Sequence, residues 1–159
     1  MKTARDVGKL VASLAIVYAA AAVGGAVTAP AIGTWYRSLA KPSFNPPNWV
    51  FGPAWTVLFT LMGIALFLVW RTSDSTAEVG SELSIFGVQL VLNVLWSVLF
   101  FGLKMPLAAL VDIVLLWIAI ILTIRSFVRV SRVAGLMLVP YAAWVAFAAA
   151  LNLAVWRLN

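Results

Sequence analysis

Apolar and polar positions divide the chain into five long apolar runs, residues 10–29, 50–70, 83–103, 106–124 and 133–155, separated by short polar breaks. Each run approaches the roughly 20 residues that a helix needs to cross the hydrocarbon core of a bilayer. None alternates apolar and polar residues over about ten positions, as a membrane-spanning strand would. The pattern predicts an all-α integral membrane protein, a five-transmembrane-helix bundle forming one domain over residues 1–159. The first run follows Lys2, Arg5 and Lys9 and so resembles a signal peptide. It is longer than the usual apolar region of about 7–15 residues, and Pro30 stands where cleavage would fall, so a retained helix is expected.

The breaks differ in character. Residues 71–82 form a polar turn carrying Asp74, Glu78 and Glu82; residues 102–106 form a tight hairpin; Arg125, Arg129 and Arg132 form a basic link into the fifth helix. The connector over residues 30–49 is of another kind. Together with the start of the second run it holds Pro42, Pro46, Pro47 and Pro53 among five aromatic rings (Trp35, Tyr36, Phe44, Trp49 and Phe51). Proline fixes φ and keeps the preceding residue out of the helical region, so Lys41-Pro42 and Asn45-Pro46-Pro47 are expected to be extended. Pro53 sits at the front of an apolar run, where its missing N–H costs nothing, and Asn48 is a candidate helix cap. A stiff, ring-rich connector between membrane helices predicts a lid or rim over a cavity.

Composition agrees with the pattern. Hydrophobic residues make up 64% of the chain and charged residues 10%, against about 25% in a soluble domain. Cysteine and histidine are both absent, which removes disulfides, thiolate nucleophiles and the usual zinc, haem and iron–sulfur ligand sets. No metal site and no resident cofactor are therefore expected. The net charge of +6 does not point to nucleic acid, because the basic residues fall between apolar runs rather than on one face. Lys2, Arg5, Lys9, Arg71, Arg125, Arg129 and Arg132, seven of the eleven basic residues, lie on the side of the N-terminus. The positive-inside rule then places the N-terminus in the cytoplasm and the proline-rich connector outside a bacterial-type cell membrane.

Polar residues at membrane depth are costly and face the bundle interior. Gln89, Asn93, Trp96, Ser97 and Phe100 recur at spacings of three and four and share a face of the third helix. Tyr141, Trp144, Ala148 and Asn152 do the same in the fifth helix, and Trp55, Phe59 and Met62 in the second. Such stripes suit bundle packing, and they also suit a ligand cavity under the connector. In the first helix, Ala20 with Gly24 and Ala21 with Gly25 have the spacing of close helix contact, read as internal packing ahead of a dimer seam. Asp112 is the one acid deep in an apolar run. It could accept a proton, pair with a buried amide such as Asn93 or Asn152, or cap the Lys104 end of the bundle; a structural role is favoured, since no second titratable group completes a proton relay. No serine–histidine pair, paired carboxylates or phosphate loop is present. The eight tryptophans remain, and indole suits stacking on flat conjugated molecules.

The segment WYRSLAKPSFNPPNWVFGPAWTVLFTLMGIALFLVW, with QLVLNVLWSVLFF in the third helix, Asp112 in the fourth and PYAAWVAFAAALNLAVWRLN in the fifth, resembles the translocator protein or tryptophan-rich sensory protein (TspO/MBR) family. The resemblance implies a five-helix bundle, commonly a homodimer, whose first connector lids a pocket. It implies binding of porphyrins and other flat hydrophobic small molecules, and a lipid bilayer as the surrounding medium. Matched residue by residue, the implied ligand-binding positions are Tyr36, Pro46, Trp55, Phe59, Asn93, Ser97, Phe100, Trp144 and Ala148. Ser97 stands where some relatives carry a second amide. The cholesterol motif of animal members needs a tyrosine before the final Trp-Arg; residues 151–157 lack it, which counts against sterol binding. Three readings stay open: a receptor or carrier for tetrapyrroles, a light- and oxygen-dependent porphyrin-degrading enzyme with Trp55 and Trp144 as electron donors, and a structural or signalling membrane protein.

Overall fold

A computed structural model describes residues 2–159. Helix α1 (Lys2–Ile32) is followed by a short α2 (Trp35–Ser38), then α3 (Asn48–Trp70), α4 (Gly80–Ser97), α5 (Pro106–Val130), α6 (Arg132–Met137) and α7 (Val139–Leu158). A 3₁₀ turn at Thr76–Val79 leads into α4, and a π-helical turn at Val98–Gly102 ends it. Five stretches are long and apolar enough to cross a membrane: Thr3–Ile32, Asn48–Trp70, Thr76–Gly102, Pro106–Val130 and Arg132–Leu158. The five-helix reading of the sequence stands.

The helices overrun the apolar runs. α1 begins well before residue 10 and carries Pro30 inside its last turn, and α5 continues through Arg125 and Arg129 to Val130. Neither residues 2–9 nor residues 125–130 contain a proline, so nothing in them breaks the backbone ladder where the apolar run stops. α3 begins at Asn48, five residues before Pro53, and Asn48 makes no side-chain cap. Asn48 is therefore the first helical residue rather than the cap, and Pro53 is tolerated within the second turn. The fifth crossing is divided at Leu138, because Pro140 lacks the N–H that would continue α6 into α7.

Around the bundle, α1 packs between α3 and α4, α4 packs on α5, α5 on α7, and α6 returns to α3. The core is a column of Val17, Met62, Ala65, Val69, Phe86, Ile113, Ile120, Phe127 and Val145. Phe86 and Phe127 stack at 5.7 Å across α4 and α5. Val88, Val91, Val111, Val114 and Ile118 point outward, as a lipid-facing surface requires. Lipid tails are as apolar as leucine, so close packing and internal hydrogen bonds hold the helices together more than water exclusion does. At the N-terminal end, the Lys9 ammonium donates to the carbonyls of Trp70 (2.9 Å) and Ser73 (2.8 Å), satisfying the C-terminal end of α3.

Two glycines test this packing. A Cβ on Gly135 would lie 2.2 Å from Val128 Cγ2, 2.9 Å from Val128 N and 3.1 Å from Ile124 O, so backbone would have to move. A Cβ on Gly87 meets nothing within 4 Å. Gly135→Ala is expected to destabilise by about 1–3 kcal/mol, and Gly87→Ala to stabilise by up to about 1 kcal/mol. Thermal unfolding in detergent micelles reads both; equal melting temperatures for the two variants would contradict the α5–α6 contact described.

Candidate functional site

At the connector end, Phe51 and Trp55 of α3 meet Trp144 and Tyr141 of α7. Beside them lies a cavity of about 490 Å³ between α1, α3, α4 and α7. Tyr36, Trp55, Phe59, Asn93, Ser97, Phe100, Trp144 and Ala148 all stand in its wall. Pro46 does not: its carbonyl accepts from Asn45 Nδ2 (3.2 Å), and it belongs to the outer layer of the connector. Asn93 and Ser97 follow from helical spacing on α4, and Phe100 comes three residues on, in the π-helical turn.

Sequence reasoning missed the contribution of α1. Ala20, Ala21, Gly24, Gly25, Thr28 and Ala29 form one wall. Their spacing signals close helix contact, and that holds for Gly24, where a Cβ would sit 3.3 Å from Ser97 Oγ. Gly25 has nothing within 4 Å of its Cβ position and faces open space instead. Small residues at this spacing read alike whether a neighbouring helix or a void lies opposite. The exposed wall residues Gly25 and Ala29 on α1 and Gly52 and Thr56 on α3 mark a lateral opening between these helices. Below it, Tyr18 and Thr60 join their hydroxyls at 2.5 Å, and Thr60 Oγ1 donates onward to Thr56 O at 2.8 Å.

The π-helical turn places Phe100 and Phe101 in succession against the connector. Leu103 N bonds to Val98 O at 2.7 Å, a five-residue span that widens the turn by one residue. Phe100 packs on Trp96 (5.4 Å), Trp35 (5.6 Å) and Tyr36 (6.4 Å), and Phe101 on Tyr36 (5.6 Å). Tyr36 donates to Asn45 Oδ1 (3.2 Å) under the Lys41 ammonium, 4.7 Å from its ring centre. Burial pushes the Tyr36 hydroxyl above its usual range, and the bond to Asn45 opposes this in part. Asn159 clamps the connector from α7: its side-chain oxygen accepts from Ala40 N and its Nδ2 donates to Ala40 O, both at 3.0 Å. On the other side, Phe51 and Phe147 flank Trp144 at 5.9 and 5.7 Å.

Two polar chains support the wall. Trp96 Nε1 donates to Asn152 Oδ1 (3.0 Å), and Asn152 Nδ2 donates to Pro106 O (2.8 Å), tying α4, α7 and the start of α5. Asn93 Nδ2 donates to the Tyr141 hydroxyl (2.8 Å), which donates to Gln89 Oε1 (2.9 Å). Asn152 is thus committed at both ends and Asn93 at its nitrogen, and Asp112 pairs with neither. It is 4% exposed, its Oδ2 has no partner among the described residues, and it lies outside the cavity wall. The arrangement offers stacking surfaces and few polar contacts. Among the described residues, no cluster of three or more metal-ligating side chains forms.

Replacing Asn152 with leucine leaves the Trp96 indole without a partner and removes the side-chain bond to the Pro106 carbonyl. A loss of about 1–2 kcal/mol is expected, the upper range for interhelical hydrogen bonds in membranes. Thermal unfolding of Asn152→Leu checks it, and an unchanged melting temperature would show that the bridge is idle.

Residues 12–157 match the TspO/MBR family. The chain is 49% identical over 154 residues to "Tryptophan-rich protein TspO" of Archaeoglobus fulgidus, covering 95% of this chain and 97% of the relative. A protein of the same name from Chlorobaculum tepidum is 51% identical over 136 residues, covering 85% and 86%. The human "Translocator protein" is 41% identical over 126 residues, covering 79% and 75%. With five apolar helices and this extent of similarity, the chain belongs to the TspO/MBR family of multi-pass membrane proteins.

Proposed function

We propose that this protein is a membrane receptor or carrier that takes up porphyrins and related flat hydrophobic molecules in the cavity between α1, α3, α4 and α7. The observation that carries the reading is the shape and chemistry of the wall. Small residues of α1 face Trp55, Phe59, Phe100 and Trp144 across about 490 Å³, a volume within the range of about 300–1,000 Å³ for small-molecule sites. Flat rings fit a slot with a smooth side and an aromatic side, and indoles give stacking without demanding a fixed pattern of polar contacts. The lateral opening between α1 and α3 suits a ligand that arrives through lipid. The charge bias at the N-terminal ends of the bundle supports a cytoplasmic N-terminus. Names such as "Translocator protein" and "Tryptophan-rich sensory protein" among relatives agree with a receptor or carrier.

The second reading, photo-oxidative porphyrin breakdown, uses the same two indoles. Trp55 and Trp144 both stand in the wall, and the Trp144 Nε1 proton is buried without a partner among the described residues. Phenylalanine keeps a flat ring and loses the readily oxidised indole, so one pair of variants separates the readings. For a binder, Trp55→Phe and Trp144→Phe each weaken protoporphyrin binding by about 0.5–1.5 kcal/mol, and any light-driven porphyrin loss falls only with occupancy. The measurements are the dissociation constant in the dark and porphyrin absorbance under illumination. Loss of degradation with affinity held within roughly tenfold, about 1.4 kcal/mol, would make the protein an enzyme.

A further inference from the structure

The cavity wall is apolar except at a few points, and the buried amides in it differ in what they have left to offer. Asn152 spends its oxygen on Trp96 and its nitrogen on Pro106. Asn93 spends only its nitrogen, on the Tyr141 hydroxyl. Its oxygen has no partner among the described residues and is not fully buried, so it remains open to the cavity that Asn93 lines. Ser97 can rotate its hydroxyl to donate or accept and selects neither.

An amide can turn over, exchanging oxygen for nitrogen, unless its partners forbid it. Here the constraint comes from outside the wall. Tyr141 and Gln89 are each 1% exposed, and neither lines the cavity. Gln89 Nε2 approaches Met62 Sδ at 4.0 Å. Thioether sulfur only accepts, and weakly, so the opposite setting of Gln89 would forfeit this bond and turn the amide oxygen towards a second acceptor. With the Gln89 nitrogen towards sulfur, its oxygen meets Tyr141 and takes the single hydroxyl proton. The Tyr141 oxygen can then only accept, so Asn93 must offer it the NH₂ group. Each setting follows from the one before, and burial makes an unpaired alternative costly.

We propose that the buried Met62–Gln89–Tyr141 chain sets the Asn93 amide with its oxygen towards the cavity, so that the site selects flat apolar ligands bearing an N–H or O–H donor. This rests on the reading of the cavity as a ligand site and adds a chemical class to it. Gln89 and Tyr141 are positioning residues: they touch no ligand, yet they decide which hydrogen-bonding sense the ligand meets.

The test uses three tricyclic probes of nearly one shape: carbazole with an N–H donor, fluorene with neither donor nor acceptor, and fluorenone with a carbonyl acceptor. Dissociation constants are measured for the full chain in micelles, corrected for partitioning into empty micelles. In the wild type, carbazole is expected to bind more tightly than fluorene by roughly threefold to tenfold, the scale of one neutral hydrogen bond. Gln89→Leu removes the acceptor that holds the Tyr141 proton. That proton then turns to the Asn93 oxygen, and the Asn93 NH₂ group faces the cavity. The carbazole advantage over fluorene is expected to vanish, and fluorenone to gain on fluorene by a similar factor. Tyr141→Phe frees Asn93 to turn either way and is expected to narrow the gap between carbazole and fluorenone; it carries the test if Gln89→Leu does not fold. Carbazole no tighter than fluorene in the wild type overturns the proposal. So does a carbazole-to-fluorenone ratio that is the same in wild type and the folded variants. Failure of all three probes to bind removes the cavity reading and this proposal with it; binding without discrimination removes this proposal alone.

Discussion

Inside a bilayer, a polar group that the protein does not satisfy has no water to turn to. The placement of hydrogen bonds between helices therefore governs much of this structure. Asn93, Tyr141 and Gln89 join α4 to α7, and Trp96, Asn152 and the Pro106 carbonyl join α4, α7 and the start of α5. These bonds hold one half of the bundle together at membrane depth. α1 and α3 carry no comparable buried amide. They pack closely where Gly63 meets Leu14 and Val17, and part where Gly25 and Gly52 face open space. The cavity lies where a hydrogen-bonded half meets a half made of small residues.

The connector completes this arrangement by being fastened at several points. Asn159 holds Ala40, Tyr36 holds Asn45, and the rings of Tyr36 and Trp35 rest on the widened turn at Phe100 and Phe101. Prolines reduce the freedom that such fastening must overcome. Between α1 and α3 only Tyr36 of α2 reaches the cavity wall, beside Ile32 at the end of α1 and Asn48 at the head of α3. The rest of the connector forms an outer layer, which is where Pro46 belongs.

Much of this was legible in the sequence because membrane helices leave strong signals. The five apolar runs marked the crossings, and polar or aromatic residues at spacings of three and four on α3, α4 and α7 marked the inward faces. What escaped has physical reasons. The stripe of small residues on α1 is compatible with tight contact and with a void, and only the position of the opposite helix decides. The π-helical turn depends on how residues 98–105 pair their backbone and leaves no compositional mark. The Asn48 cap was misplaced because proline usually opens a helix, whereas Pro53 is accommodated within α3. Asn93 and Asn152, offered as possible partners of Asp112, bond instead to Tyr141 and to Trp96 with Pro106.

The central claim is that flat ligands enter the bundle and lie between the small wall of α1 and the indoles of α3 and α7. An experimental structure of the protein with protoporphyrin bound tests it most directly. Ligand density is expected between Gly25, Trp55, Asn93 and Trp144, with the positions of α4 and α7 unchanged. Density confined to the lipid-facing surface of α5, with the cavity filled by side chains or lipid, would contradict it.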